Sequence, residues 1–351
     1  MSSKQIIKKE SQQINENSKE LKQLDESLPY VERFRPKRLD DVISHENVIS
    51  TLKTYLKSKR IPHLLFYGPP GTGKTSTIES FLRELYGDKY YSYMVMNINA
   101  SEERGIDVVR GKIKNFVNTR PINADSNIPI YKFVILDEAD AITAEAQAML
   151  RIVIEKNTEY ARFCLICNCI KKVNSAIQSR CKNFKFSPLD DLSVNRKIDS
   201  ISKINNIEVT DSGKAMIWKL SNGDMRKVLH YLQVISMTHK VIDNQVVSEF
   251  LKYPSVECID KILHSLMNDS LMDSIVVLRN ERKINSYSLK DIMYELSDRV
   301  FENTKEGSIT GNQAIYINKK LRDIEMNMIT TSETDEQLSS IASAFSIMRT
   351  L

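Results

Sequence analysis

Apolar positions along the chain fall into two regimes. Between Pro29 and Pro188, short apolar runs alternate with stretches in which apolar side chains recur every three or four positions. Leu64 to Tyr67, Val95 to Asn99, Phe133 to Asp137 and Phe163 to Asn168 read as strands. The unbroken apolar character of the first, third and fourth is what a parallel sheet covered on both faces demands. Helical stretches lie between them: Thr75 to Tyr86, then Ile106, Val109, Ile113, Phe116 and Val117 in helical register. Strands alternating with helices predict a doubly wound α/β sheet.

Beyond Pro188 no strand pattern stands out. Residues 190–253 read as short helices around Trp218 and around Leu229 and Leu232. After Pro254 no further proline interrupts the chain, and apolar stripes recur in helical register. Val256, Ile259, Leu263 and Met267 form one stripe, Leu289, Ile292, Met293, Leu296 and Val300 a second, and Leu338, Ile341, Ala342 and Phe345 a third. The expected organisation is a flexible polar tail over 1–28, an α/β domain over 29–189, a region of short helices over 190–253 and an all-helical domain over 254–351.

Composition narrows the function classes. Apolar residues make up 41%, which excludes wholesale disorder. The net charge of +5 is too weak to argue for nucleic acid, so any DNA footprint must be local. No segment approaches the roughly 18 apolar residues of a membrane span, so no membrane partner is expected. Five cysteines without an apolar leader point to a reducing, intracellular setting. Three of them cluster at 164, 167 and 169, but on a strand Cys164 and Cys167 point to opposite faces, as core thiols rather than zinc ligands.

The chemistry begins with the glycines, three of ten falling between Gly68 and Gly73. Gly68-Pro69-Pro70-Gly71-Thr72-Gly73-Lys74-Thr75 has the P-loop spacing, with a strand before it and a helix after. Its glycines let backbone N–H groups turn toward phosphate oxygens, and the helix N-terminus adds its positive end. Lys74 is placed for the β- and γ-phosphates and the Thr75 hydroxyl for Mg²⁺. Asp137, at the C-terminal tip of an apolar strand, is the second expected Mg²⁺ ligand. Glu138, next to it, is the candidate general base, whereas Asp140 reads as a solvated surface acid. Asn168 ends the next strand, where its amide can meet the γ-phosphate or the attacking water. Downstream, Ser179-Arg180-Cys181 and Gly223-Asp224-Met225-Arg226 each carry an arginine suited to neutralising phosphate charge. Spacing alone does not assign one arginine to this chain's nucleotide and the other to a neighbour's.

Taken together, the segment Pro29 to Pro36, the P-loop, Leu136-Asp137-Glu138-Ala139-Asp140, Asn168, Ser179-Arg180-Cys181 and Ser221 to Arg226 resemble the AAA+ clamp-loader small subunits. Asn99 to Arg110 and Gln147 to Glu155 are similar to the replication factor C subunit 3 type within that family. The resemblance is dense from Pro29 to Leu232 and only architectural in the C-terminal helices.

It implies an ATP-hydrolysing subunit of a hetero-pentameric nuclear complex that opens a sliding clamp and places it on primer–template DNA for replication and repair. Val31 and Arg35 would border the nucleotide pocket, with the loop from Gly68 through Ser76 on the phosphates. Asn168 would be the sensor-1 residue and Arg226 the sensor-2 arginine of the lid. Arg180 would be the arginine finger reaching the adjacent subunit's site. The C-terminal helices would form the oligomerisation collar. Arg110 and Lys114, four apart along one helix edge, would track DNA phosphates.

Three positions depart from the family pattern. Ile152 follows Arg151 where a second arginine is common, the segment from Pro121 to Pro129 is long, and Cys167 and Cys169 flank Asn168. Two rival readings exist. A DEAD-type helicase needs a second α/β domain, whereas the remainder here is helical. A scaffold subunit that binds ATP without hydrolysing it is the other, and intact Lys74, Thr75, Asp137 and Glu138 argue against it.

Overall fold

A computed structural model describes residues 27–103, 105, 107, 109–119, 131–328 and 335–350. The expected tail over 1–28 and the segment from Pro121 to Pro129 fall almost wholly outside the described residues. The chain divides into two compact units at Ile242/Asp243.

The first unit is built on five parallel strands, β1 (His63–Tyr67), β2 (Val95–Asn99), β3 (Lys132–Asp137), β4 (Ala161–Cys167) and β5 (Cys181–Lys185). Their order is β2-β3-β4-β1-β5. Alternate residues feed opposite layers. Leu64, Phe66, Phe133, Ile135 and Cys164 pack with Ile78, Phe81 and Leu82. Leu65, Val134, Leu136, Phe163, Leu165 and Cys167 pack with Ala146, Leu150 and Val153. Both faces are therefore covered, which explains the unbroken apolar runs. Cys164 and Cys167 lie in different layers, and burial raises both thiols, Cys167 to about 12.

Helix α1 (Tyr30–Arg33) reaches away from the sheet, its Tyr30 N–H donating to Gln233 Oε1 and Arg33 Nη1 to Asn205 Oδ1, both at 3.0 Å. Helices α2 (Glu46–Ser58), α3 (Lys74–Met94), α4 (Lys114–Asn118), α5 (Ala144–Lys156) and α6 (Ser175–Gln178) accompany the sheet. Helix α3 kinks at Gly87, close to the expected end at Tyr86. The helical stretch expected across Ile106 to Val117 departs from a regular α-helix: Val109–Ile113 is a π-helical turn, followed by α4. Lys132, buried at the start of β3, donates from Nζ to the Phe116 carbonyl (3.0 Å) and Thr119 Oγ1 (2.8 Å), anchoring the end of α4 to the sheet.

Helices α7 (Asp191–Asn205), α8 (Asp211–Ser221) and α9 (Met225–Ser236) complete the first unit, and each is capped by the residue before it. Asp190, Thr210 and Asp224 accept from backbone N–H groups of the first turns. Two strands escaped the sequence pattern here: β6 (Glu208–Val209) and β7 (Val241–Ile242) pair in parallel, each two residues long. The division at 242/243 places α7 to α9 with the α/β sheet and α10 (Asn244–Leu251) in the second unit.

The second unit adds α11 (Val256–Asn268), α12 (Leu271–Asn285), α13 (Leu289–Lys305), α14 (Gly311–Met328) and α15 (Asp335–Met348). The second and third stripes are buried in its core. The first is buried at Ile259 and Leu263, but Val256 at the helix start is 59% exposed.

His63 opens β1 with a buried ring whose Nδ1 accepts from the Phe163 amide at 3.2 Å, while Nε2 has no partner among the described residues. Burial, reinforced by Arg162, pulls its pKa from 6.5 to about 4. Folding therefore favours the neutral ring: its contribution is complete above pH 6.5 and is lost as pH falls through 4. The window is worth roughly 3 kcal/mol. His63→Gln keeps an acceptor and removes the titration. Denaturant midpoints at pH 7, 6, 5 and 4 should show wild type losing its lead over the variant; a constant gap would reject the assignment.

Candidate functional site

The phosphate loop joins β1 to α3, and its conformation is set by what lies behind it. Gly68 has φ = +147°, and a Cβ there would sit 2.0 Å from the Phe186 carbonyl oxygen. Gly71 has φ = +68°, and a Cβ there would meet Asp224 Oδ1 at 1.6 Å. The lid closes directly on this loop, since the Met225 N–H donates to the Gly71 carbonyl at 3.1 Å.

Lys74 begins α3 and is buried. Its Nζ donates to the Gly68 carbonyl (2.8 Å), the Pro69 carbonyl (2.7 Å) and Asn168 Oδ1 (3.1 Å). One ammonium thus fastens the loop to the end of β4. Burial lowers its pKa and the nearby Asp137 carboxylate works the other way.

Thr75 Oγ1 donates to Asp137 Oδ2 at 2.7 Å, joining the start of α3 to the tip of β3. The other Asp137 oxygen, Oδ1, accepts from the Glu138 N–H at 2.9 Å. Glu138 itself is exposed and left-handed (φ = +53°), a conformation costly for a residue with a Cβ and frequent at functional turns. A hydroxyl and a carboxylate side by side form the hard oxygen donor set that suits Mg²⁺. Asp140 is half-buried rather than solvated, and its Oδ2 accepts from the Cys169 N–H at 3.4 Å.

Pro70 through Ser76, Asp137, Glu138, Asn168 and Arg226 line a single cavity, and Val31 and Arg35 line it too. Gly68 and Pro69 stand behind the Lys74 ammonium and contribute through their carbonyls. The Arg35 guanidinium is held by Glu79 Oε2 (2.9 Å) and Glu32 Oε1 (3.0 Å). Arg226 follows the Asp224 cap, which accepts its N–H at 2.8 Å. Away from the phosphate end the lining turns apolar, with Phe34, Val42, Ile43, Leu189 and Leu229.

Lys197 also lines this cavity, and sequence reasoning missed it. Burial lowers its pKa, opposed by Asp41. The signal was available: Lys197 lies three residues after Val194 and four before Ile201, on the buried stripe of α7.

Arg180 is not brought to the cavity. Its Nη2 lies 2.5 Å from Glu155 Oε1 and its Nη1 donates to the Ala176 carbonyl at 2.6 Å. Lys114 is exposed on α4, and the Arg110 side chain lies outside the described residues.

Comparison with known proteins bears on identity. A family model for ATPases associated with various cellular activities matches residues 64–189, and one for the replication factor C C-terminal domain matches 254–344. Replication factor C subunit 3 of Schizosaccharomyces pombe is 42% identical over 302 residues, covering 86% of each chain. Replication factor C subunit 5 of Mus musculus is 38% identical over 325 residues, covering 93% of this chain and 94% of its own. A putative replication factor C small subunit of Acanthamoeba polyphaga mimivirus is 38% identical over 315 residues. Among solved structures, the RuvB Holliday junction branch migration motor of Thermotoga maritima superposes with a TM-score of 0.50. At 17% identity, covering 75% of this chain and 91% of that one, it speaks to fold alone. Identity at the level of the curated relatives, over most of both lengths, makes the chain a member of the replication factor C small-subunit family, a AAA+ ATPase subunit of a clamp loader.

Proposed function

We propose that this chain binds ATP with Mg²⁺ in the cavity under the lid and hydrolyses it within a nuclear hetero-pentamer. That complex opens a sliding clamp and loads it on primer–template DNA, in replication and repair. The observation that carries the proposal is the pair of bonds meeting at the loop, Lys74 Nζ to Asn168 Oδ1 (3.1 Å) and Thr75 Oγ1 to Asp137 Oδ2 (2.7 Å), which gathers three strand ends around one helix start.

In this reading Lys74 and the loop N–H groups hold the phosphates, and Thr75 and Asp137 hold Mg²⁺, which supplies charge neutralisation on the phosphate oxygens. Glu138 takes the proton of the attacking water, and Asn168 orients that water or the γ-phosphate. Arg226 ties the lid to the bound nucleotide, and Arg180 serves the neighbouring subunit's site. ATP turnover by the reconstituted complex should rise when clamp and primer–template DNA are added together. Turnover indifferent to both would count against the clamp-loading assignment.

Arg110 and Lys114 are assigned to DNA phosphates, with α4 anchored to β3 through Lys132. Replacing both by alanine should weaken DNA binding equally across sequences. It should also flatten the plot of log affinity against log salt by about 1.8, at roughly 0.9 per lost phosphate contact. A salt slope equal to wild type would leave the two as a solvated helix edge.

A further inference from the structure

Resting on the assignment of Arg180 to a neighbour's site, we propose that Glu155 is the positioning residue that holds the Arg180 guanidinium in the orientation it presents outward. Arg180 follows the four-residue helix α6 and precedes β5, a short connection with little packing of its own. Its head group is held at two nitrogens: Nη1 donates to the Ala176 carbonyl at 2.6 Å, and Nη2 forms an ion pair at 2.5 Å with Glu155 Oε1. Guanidinium carries five N–H donors in a rigid plane, so two anchored nitrogens define that plane while Nε and the outward N–H groups keep their capacity. Among the described residues none of these donates to a further partner. Both side chains are more than a third exposed, 38% for Arg180 and 37% for Glu155, so the pair faces solvent where a neighbouring chain's phosphates can approach.

Glu155 is in turn placed by the site on its own chain. It lies in the last turn of α5, the helix that begins at Ala144 just beyond the Asp137–Glu138 turn. Thr143 caps the start of that helix, and Gln147 in the first turn donates to the Ile142 and Lys172 carbonyls while accepting from the Asn174 N–H. Ala146, Leu150, Val153 and Ile154 bury its inner face along the length. A rigid rod thus runs from the acidic tip of β3 to the carboxylate that anchors Arg180. A half-exposed ion pair restrains its partners weakly, by up to ~1 kcal/mol, so loss of Glu155 should cost about fivefold in rate rather than the whole effect of the arginine.

The test uses the full complex in which the subunit receiving Arg180 holds the only hydrolysis-competent site. Neighbour kcat and KM for ATP are measured with wild type, Arg180→Ala, Glu155→Ala, Glu155→Gln and the double alanine variant. Glu155→Ala should lower neighbour kcat about fivefold with KM unchanged and with ATP binding by this chain unchanged. Glu155→Gln, which keeps an acceptor oxygen, should recover part of the loss, and the double variant should match Arg180→Ala. Wild-type or faster turnover with Glu155→Ala, while Arg180→Ala is slow, overturns the proposal and leaves the assignment of Arg180 intact. Additive losses in the double variant also overturn it. Wild-type turnover with Arg180→Ala rejects the assignment itself.

Discussion

In the assembled complex, Glu138→Gln should leave ATP bound at this chain's site while hydrolysis there falls by about 10²–10⁴, the usual contribution of a general base. Gln fills the same volume and preserves the Glu138 N–H bond to Asp137 Oδ1, which is made by the backbone. What it cannot do is accept a proton. Lys74→Ala should act one step earlier. Its ammonium makes three hydrogen bonds that join the loop to Asn168. Losing two charge-assisted phosphate contacts, each worth about 1.5–3 kcal/mol, should weaken nucleotide binding by at least about 10²-fold. Equilibrium binding of a fluorescent ATP analogue and single-turnover hydrolysis separate the two variants. Wild-type turnover at this chain's site with Glu138→Gln would remove the general-base assignment.

Arg180→Ala carries the other large expected effect, and it falls on a different molecule. Because Arg180 lies outside this chain's cavity and is held at Glu155, its removal should leave ATP binding here intact. Hydrolysis at the neighbouring subunit should drop about 10³-fold, or roughly 4 kcal/mol of transition-state stabilisation. Arg226→Ala should do the reverse. It lines the chain's own cavity at the start of α9, so its loss should weaken the link between bound nucleotide and lid while the neighbour's chemistry proceeds. Equal neighbour turnover with Arg180 and Arg180→Ala would take that residue out of the mechanism.

Much of this site was legible because its signals are local. The phosphate loop is contiguous, and Asp137 and Asn168 announce themselves by ending apolar runs that central strands must have. The edge strand β5 was not legible: of Cys181 to Lys185 only Phe184 is buried, so the segment reads as polar. Strands β6 and β7 are too short to establish any period. Lys197 went unseen for a different reason. Its one signal is its position on the buried stripe of α7, which marks it as unusual but, without a motif, does not say that the folded chain brings it to the cavity. The assignment of Arg180 and Arg226 to different sites was likewise beyond spacing, since both are arginines after short polar turns. The family resemblance alone separated them; in the fold Arg180 lies beside Glu155 and Arg226 lines the cavity.

The contact between Gly71 and Asp224 reaches beyond this one chain. A carboxylate occupies the space where any side chain at 71 would begin, and the following N–H closes on the Gly71 carbonyl. Two segments far apart in the chain are therefore cut to each other's shape, and recombination between family members would treat them as one unit. A chimaera that imports residues 68–75 from a relative whose lid turn differs would inherit a loop without its counterpart. One that moves 68–75 and 223–226 together would keep the fit, whatever the origin of the sheet between them.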